Sequence, residues 1–476
     1  MLRDMEKKFQ NSELVHKIIE KGMKVPGYVF ASQSLFENIK KDKTLEQLKN
    51  MAKLPGIVGA VYAMPDAHQG YGFPIGGVVA FDLKKGIVSP GGVGYDINCG
   101  VRMLITNISK KDFLEKRKEI MKSLAKEVPS GVGIKSSFSV TQKEMDEVLQ
   151  KGINWAVQRG FADKSDLERV ENNGCIQGAN VKDVSQKAKG RGMNQLGSLG
   201  AGNHFVEVQF VEKIFDEKTA NVFGIKNEEQ VAILIHSGSR GLGHQVASDY
   251  IKAMEEEYGF DNLPDRELAC APIQSELGQK YLSAMACAAN FGFVNRQILS
   301  LKIKDVFLKF FPGKKINLIY DLAHNIAKVE EHYFEGKRKK MCVHRKGATR
   351  SFGPGNKEIP LIYRKVGQPI FIPGSMGTFS YVLAGTNKAE KVTLGSTAHG
   401  AGRLLSRSYA VKNIDSKKLL DELKEKNVYL ETESLKGAVE EAPEAYKDVV
   451  EVVRVSHELG IGKLVARMKP IGVIKG

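Results

Sequence analysis

Five segments far apart in the chain place an Asp, Cys or His at the end of a loop or of a short apolar run, four of them with a glycine close by. They are Tyr95-Asp96-Ile97-Asn98-Cys99-Gly100, Gly202-Asn203-His204, Leu234-Ile235-His236-Ser237-Gly238, Leu322-Ala323-His324-Asn325 and Thr397-Ala398-His399-Gly400. A thiolate, a carboxylate and several imidazoles brought together can hold divalent metals. Glycines beside them let backbone approach a phosphate closely. A fold that satisfies this pattern must gather five distant turns around one centre.

The composition agrees with an anionic partner. With 476 residues and 42% hydrophobic content the chain can bury a large core. Its 71 Lys and Arg exceed its 55 Asp and Glu by 16, which favours nucleic acid or another polyanion, although a solvated lysine-rich surface gives the same balance. Five cysteines, Cys99, Cys175, Cys270, Cys287 and Cys342, show no paired spacing, so a disulfide framework is not expected. The opening Met1-Leu2-Arg3-Asp4-Met5-Glu6-Lys7-Lys8 is too charged for a signal peptide, and no apolar run is long enough for a membrane span. These features predict a soluble cytoplasmic protein.

Hydrophobic periodicity predicts helices over 13–21, 111–126, 142–159, 181–189, 243–257, 277–306, 417–426 and 446–459. Short apolar runs at 76–81, 205–211, 231–235 and 316–320 read as strands. Helices and strands mix without a regular βαβ rhythm and without repeats, which predicts an α+β fold. The expected organisation is one large mixed domain over 1–476, with a helical N-terminal segment over 1–50 and a catalytic core over 51–476.

Each motif has a plain alternative. Asp96 and Cys99 lie three apart in a tight loop and can reach one metal centre, but a turn Asp and a small buried Cys look the same in sequence. His236 directly follows the run Val231–Ile235, and His324 lies four residues past Tyr320, so both sit where loops at sheet ends carry function. His204 adds a third imidazole. If 203–207 is all strand, Asn203 and Glu207 share a face that His204 does not. His236-Ser237-Gly238-Ser239-Arg240-Gly241-Leu242-Gly243 precedes a helix and can cradle an anion, with Arg240 as a bidentate fork. No Gly-Lys pair is followed by Ser or Thr, so there is no Walker A loop. His344-Arg345-Lys346-Gly347-Ala348-Thr349-Arg350 reads equally as a phosphate-contacting surface or a solvated turn. His399, flanked by small residues, has room at its ring for a bulky adduct.

Taken together and in order, the motifs resemble the RtcB family of GTP-dependent RNA ligases. The carrying segments are Pro65-Asp66-Ala67-His68-Gln69-Gly70-Tyr71-Gly72, the Asp96-x-x-Cys99-Gly100 loop, Gly202-Asn203-His204-Phe205-x-Glu207, His236-Ser237-Gly238-Ser239-Arg240-Gly241, His344 to Arg350, His399-Gly400-Ala401-Gly402-Arg403 and Ile474-Lys475-Gly476. They span nearly all of the chain beyond residue 50.

The resemblance implies joining of an RNA end bearing a 2′,3′-cyclic phosphate or 3′-phosphate to a 5′-hydroxyl end, in tRNA splicing or RNA repair. It implies GTP as co-substrate, two Mn²⁺ ions per chain, and a GMP adduct on His399. Asp96, Cys99, His204, His236 and His324 would be the metal ligands, with Cys99 bridging. Asn203 and Arg240 would hold phosphates. Glu207, Ser375, Gly400, Tyr446 and Lys475 would surround the guanylate with His399, and Asp66 would assist catalysis. The partners implied are tRNA exon halves and an archease-like activator, with no membrane and a monomeric state. By softness alone the ligand set points to zinc, so manganese comes from the resemblance. Two other classes fit the residues: a metal-dependent RNA phosphatase or nuclease needing neither GTP nor His399, and an RNA-binding protein with structural metals.

Overall fold

Short β-branched and aromatic runs pair into two sheets, and a long apolar helix fills the space beside them. The structure, a computed structural model, describes residues 12–476. One sheet has six strands in the order β1 (Val15–Ile18), β2 (Gly27–Phe30), β3 (Ile57–His68), β4 (Ile75–Asp82), β12 (Lys337–Lys346) and β11 (Asn325–Phe334). The other runs β10 (Ile316–Ala323), β6 (Gly100–Ser109), β8 (Gln230–Ser237), β7 (Phe205–Ile214), β18 (Lys463–Lys475), β15 (Ser380–Ala384) and β14 (Pro369–Ile372), with β17 (Tyr429–Thr432) beside β18. Two small ladders complete the set, β5 (Ile87–Val88) with β9 (Ala271–Pro272) and β13 (Ala348–Arg350) with β16 (Ser396–Ala398). Pairing is antiparallel except for β2 with β3 and β17 with β18. The expected α+β class holds.

The helix Glu276–Phe310 is the spine of the molecule. Ser275 caps its start by accepting from the Gly278 N–H at 3.1 Å. Its middle is buried on all sides, as its continuous run from Ala284 to Ser300 shows. Burying a side chain such as Phe291 or Ile298 contributes about 1.5–3 kcal/mol each. The polar residues within that run, Asn290, Asn295, Arg296 and Gln297, are therefore the ones that demand partners.

Several expected elements shift. The N-terminal helix predicted over 13–21 is instead the strand β1, whose Val15 pairs with Phe30 and whose Ile18 pairs with Gly27. Its β-branched residues pack better on a sheet edge than in a free helix. Residues 12–50 thus combine two strands with two helices. Among those described, β1 and β2 belong to the six-stranded sheet, and the helix Gln33–Ile39 and most of Thr44–Met51 follow them. Residues 1–11 lie outside the described residues. The helix predicted over 142–159 is interrupted at Gly152, giving Gln142–Lys151 and Ile153–Gln158. The one predicted over 181–189 is a 3₁₀ turn followed by the helix Gln186–Met193. The last begins at Val449, not 446, because Asp448 caps it. Among the described residues no helix is long and apolar enough to cross a membrane.

Candidate active site

The ends of β6, β8, β7 and β10 meet on one side of the larger sheet and bring four of the five segments together. Asp96 and Cys99 lie in the tight loop just before β6. His204 immediately precedes β7, His236 is the penultimate residue of β8, and His324 sits between β10 and β11. β6 pairs with β8 on one side and β10 on the other, so Val101 faces both His236 and Leu322. Register alone therefore places the Cys99, His236 and His324 segments side by side.

Two triads share one sulfur. Cys99, His236 and His324 offer ligand atoms within 4.8 Å of one another, and so do Asp96, Cys99 and His204. The Cys99 Sγ lies 3.4 Å from His204 Nε2 and 3.3 Å from His236 Nε2. His204 Nε2 is 2.8 Å from Asp96 Oδ2, and His236 Nε2 is 3.3 Å from His324 Nε2. Sulfur, nitrogen and oxygen atoms that can each ligate a metal thus converge on one another. Asn203 and His204 belong to the bend ahead of β7, which begins at Phe205. The bend, not a continuous strand, lets Asn203, His204 and Glu207 serve one region.

Charge states suit a cation. Burial, then neighbouring imidazoles, push the His236 and His324 rings well below their ordinary value, so both are neutral near pH 7. Burial acts to raise the Asp96 carboxyl, but His204, Cys99 and Arg240 outweigh it and hold it at about 2. Burial and Asp96 push the Cys99 thiol well above its ordinary value, which leaves it protonated unless a cation compensates. One thiol, one carboxylate and three imidazoles in two triads fit a pair of divalent metals. Gly238 permits this packing, since a Cβ there would lie 2.4 Å from the Asp96 carboxylate oxygens.

The cluster is held from beneath by the long helix. Arg296 Nη1 donates to the carbonyls of Asn98 and Ser237, both at 2.9 Å, which are the residues next to Cys99 and His236. Arg296 also pairs with Asp321 at 2.6 Å, and Arg102 reaches the same carboxylate at 2.7 Å. Asn295 receives the N–H groups of Gly197 and Ser198 and donates to the Ser198 and Gly238 carbonyls. None of these supports stood out in the sequence reading. Their signal was an Asn, an Asn-Arg-Gln and an Asp set inside otherwise apolar runs.

His399 follows β16 and faces the cluster across a cavity. Its ring centroid is 4.8 Å from that of His324. Its Nδ1 lies 2.6 Å from Oδ2 of Asp66, a fully buried residue of β3 whose same oxygen accepts the backbone N–H groups of His399 and Gly400 at 2.9 and 3.2 Å. Burial acts to raise the Asp66 carboxyl, but these contacts keep it below its ordinary value and ionised. Gly347 adopts φ +61°, and a Cβ there would crowd Ile75 at 2.2 Å and the His399 ring at 3.1 Å.

The cavity, of about 350 Å³, is lined by Asp96, Cys99, Asn203, His236, His324, His399, Gly400 and Tyr446 among the expected residues. His68, Lys346, Arg403 and Arg407 also line it and were given no role from sequence. A nearly closed pocket of about 20 Å³ adjoins it, lined by Asn203, Glu207, Ser375, Glu441, Tyr446 and Lys475. Ser375 Oγ donates to the Glu441 carbonyl at 2.8 Å, and Lys475 Nζ donates to the His204 carbonyl at 3.1 Å. Arg240 and Asp66 stand behind the walls. Arg240 opens its helix at φ +55° and donates to Ser198 Oγ at 3.3 Å. The stretch 344–350 is neither a solvated turn nor an open phosphate surface. Its residues are buried, Arg345 is bound to Glu330 at 2.6 Å, and Lys346 and Gly347 reach the cavity. A larger open groove of about 1210 Å³ elsewhere, lined by Cys175, Glu276 and Lys328 among others, contains no histidine.

A family model described as tRNA-splicing ligase RtcB matches residues 47–476. The chain belongs to the RtcB family. Among curated RtcB-family relatives, the tRNA-splicing ligase RtcB of Thermococcus kodakarensis is 52% identical over 464 residues, covering 96% of each chain. Proteins of the same name from Methanococcus maripaludis and Archaeoglobus fulgidus are each 50% identical, with coverage of 95% or more of both chains. The RtcB-family fold is thus the mixed helix and sheet architecture described above.

Proposed function

We propose that the chain is an RNA ligase of the RtcB type that joins a 3′-phosphate or 2′,3′-cyclic phosphate end to a 5′-hydroxyl end through a GMP adduct on His399. The observation that carries this reading is the pairing of His399 with Asp66 directly opposite the shared-sulfur cluster. A metal-dependent phosphatase or nuclease would need neither GTP nor a nucleotide adduct on His399.

The reaction divides among these groups. Asp66 holds the Nδ1 side of the His399 ring, leaving Nε2 to attack the α-phosphorus of GTP. The N–P bond forms, the bond to the β-phosphate oxygen breaks, and pyrophosphate leaves. A cyclic end is first opened by water to the 3′-phosphate; an oxygen of that phosphate then attacks the GMP phosphorus and the His399 N–P bond breaks, after which the 5′-hydroxyl attacks the RNA phosphorus and GMP departs with the bridging oxygen. Asp96, Cys99, His204, His236 and His324 would hold two Mn²⁺ ions, Cys99 shared. Such ions supply charge stabilisation at transferring phosphoryl oxygens. By family resemblance Asn203 and Arg240 would hold phosphate oxygens, and Glu207, Ser375, Gly400, Tyr446 and Lys475 would surround the guanylate. tRNA exon halves are the proposed substrate and a cytoplasmic location the proposed setting. A monomer assisted by an archease-like activator is the proposed working form.

Intact mass after incubation with GTP and Mn²⁺ tests the reading. An acid-labile GMP adduct on the wild type and none on His399→Ala is the expected result. No adduct on freshly metallated wild type overturns it in favour of a metal-dependent phosphatase or nuclease, which RNA cleavage assays then reveal.

A further inference from the structure

The cavity mouth carries an aromatic tier that the chemistry at His399 does not use. The Tyr95 and His244 rings stack with centroids 4.8 Å apart and planes 27° apart. Tyr71 meets Tyr95 edge-on at 5.5 Å. Tyr71 and Tyr95 line the cavity that holds His399, and Tyr71 also lines an adjoining pocket of about 520 Å³ with Lys43, Gln69 and Arg266. Tyr71 thus stands where the cavity meets the adjoining pocket, and Tyr95 and His244 continue from it. Tyr71 and Tyr95 are half-buried and His244 is exposed.

The backbone that carries Tyr71 is held in place. The Tyr71 carbonyl accepts from Lys346 Nζ, and the neighbouring Gly72 N–H donates to the Glu267 carboxylate at 2.7 Å. Partial desolvation of the ring against Tyr95, then the field of the Arg191 cation, lower the His244 pKa below its ordinary value, so the ring is neutral near pH 7. Neutral aromatic faces in the field of a guanidinium match what a nucleobase and its phosphate require.

We propose that Tyr71, Tyr95 and His244 form a stacking platform for one nucleobase of an RNA strand leaving the reaction chamber. This rests on the RNA-ligase reading of the same cavity. A base packed on the platform fixes the path of its strand, so the terminal group enters the chamber in one orientation. The recognition is tolerant of base identity, because every base offers a flat face.

Fluorescence anisotropy with two labelled oligonucleotides tests the proposal, one ending in a 5′-hydroxyl and one in a 3′-phosphate. An abasic site is stepped one nucleotide at a time from the reacting end of each. The expected result is one position, in one strand, at which loss of the base weakens binding to wild type by about tenfold. The strand that shows it is the one the platform guides. At that position Tyr95→Leu and His244→Ala bind intact RNA as weakly as wild type binds the abasic form, with no further loss on abasic RNA, while Tyr95→Phe binds as wild type. Thermal melting confirms that each variant is folded. Photocrosslinking of 4-thiouridine at the sensitive position to the wild-type peptides bearing Tyr71, Tyr95 or His244 gives a readout free of substitutions. The proposal is overturned if no position is base-sensitive, if intact and abasic RNA lose equally in the variants, or if the crosslink maps elsewhere. The GMP adduct on wild type is measured alongside, so a failure of the ligase reading appears there and not in the binding data.

Discussion

The two ends of the reaction cavity are built differently. The cysteine–histidine end rests on strand ends in one sheet and on the fully buried Arg296, Asn295 and Asp321 beneath them. The opposite end, around Tyr446 and Ser375, is made of loops and of ion pairs that solvent reaches. Arg403 and Arg407 both converge there on Glu441, at 3.0 and 3.2 Å, and the Arg407 side chain is 51% exposed. The first end is suited to holding ions in fixed geometry, since misplaced ligands lose both affinity and charge stabilisation. The second is nearly closed, with room for about 20 Å³ beside Glu207, so a guanine must part these loops to enter. Rigidity is placed where metals are expected, and compliance where a nucleotide enters and its products leave.

The largest test of this contrast is Cys99→Ala. Because both triads use its sulfur, the change should deplete both metals and lower His399 guanylylation by about a thousandfold or more, ~4 kcal/mol of transition-state stabilisation. His399→Ala should abolish the adduct yet retain the metals. Elemental analysis of both variants separates the two ends. Full metal content in Cys99→Ala would remove the shared-ligand argument.

Next in size is the support beneath the cluster. Arg296→Met leaves Asp321 with Arg102 as its one remaining cation and frees the Asn98 and Ser237 carbonyls. Breaking one partner of so buried a network costs about 3–5 kcal/mol. Denaturant unfolding should show it as a lowered midpoint with unchanged slope. A loss below about 1 kcal/mol would mean that the base of the cluster is no stiffer than its rim.

The nucleotide end should reveal itself through pH. Burial pushes the Glu207 carboxyl up to about 7, and burial pulls the Lys475 ammonium down to about 8. A guanine presents ring and exocyclic N–H donors, which an ionised carboxylate accepts best. Below about 7 Glu207 carries a proton and loses acceptor strength, and above about 8 Lys475 loses its charge. The kcat/KM for GTP in guanylylation should therefore peak between these values and fall on both sides. Glu207→Gln should lower the peak by about tenfold and flatten the acid limb. A wild-type profile without an acid limb would show that Glu207 does not meet the base.

The same contrast explains what could be read in the sequence. The cysteine–histidine cluster was legible because its residues are chemically distinctive and lie at strand ends, and antiparallel register then aligns them. The small neighbours of His399 showed only that its ring had room for an adduct, and its proposed role came through resemblance. Asp66, which lies 333 positions from His399 in sequence, was known only through resemblance, because nothing local marks a strand residue whose partner arrives from a distant loop. Arg296 and Asn295 were missed for the opposite reason. They sit in a helix whose periodicity dissolves when every face is buried, so the one signal left was a polar cluster inside an apolar run. The 13–21 segment was misread because edge pairing with β2, a tertiary event, decided between helix and strand.

The smallest expected effect belongs to the rim. Arg407→Met removes a cation that lies 3.2 Å from Glu441 but is half exposed, so solvent screening leaves the pair worth less than about 1 kcal/mol. Arg403 remains on the same carboxylate at 3.0 Å, so Glu441 is not stranded without a partner. Unfolding midpoints of Arg407→Met and wild type should thus nearly coincide, and the difference should shrink further in high salt. The KM for GTP is the more sensitive gauge, because Glu441 also receives the Tyr446 hydroxyl at the wall of the guanylate pocket. A stability loss as large as that of Arg296→Met would show the rim to be as rigid as the base, and the division between a fixed metal end and a yielding nucleotide end would fall.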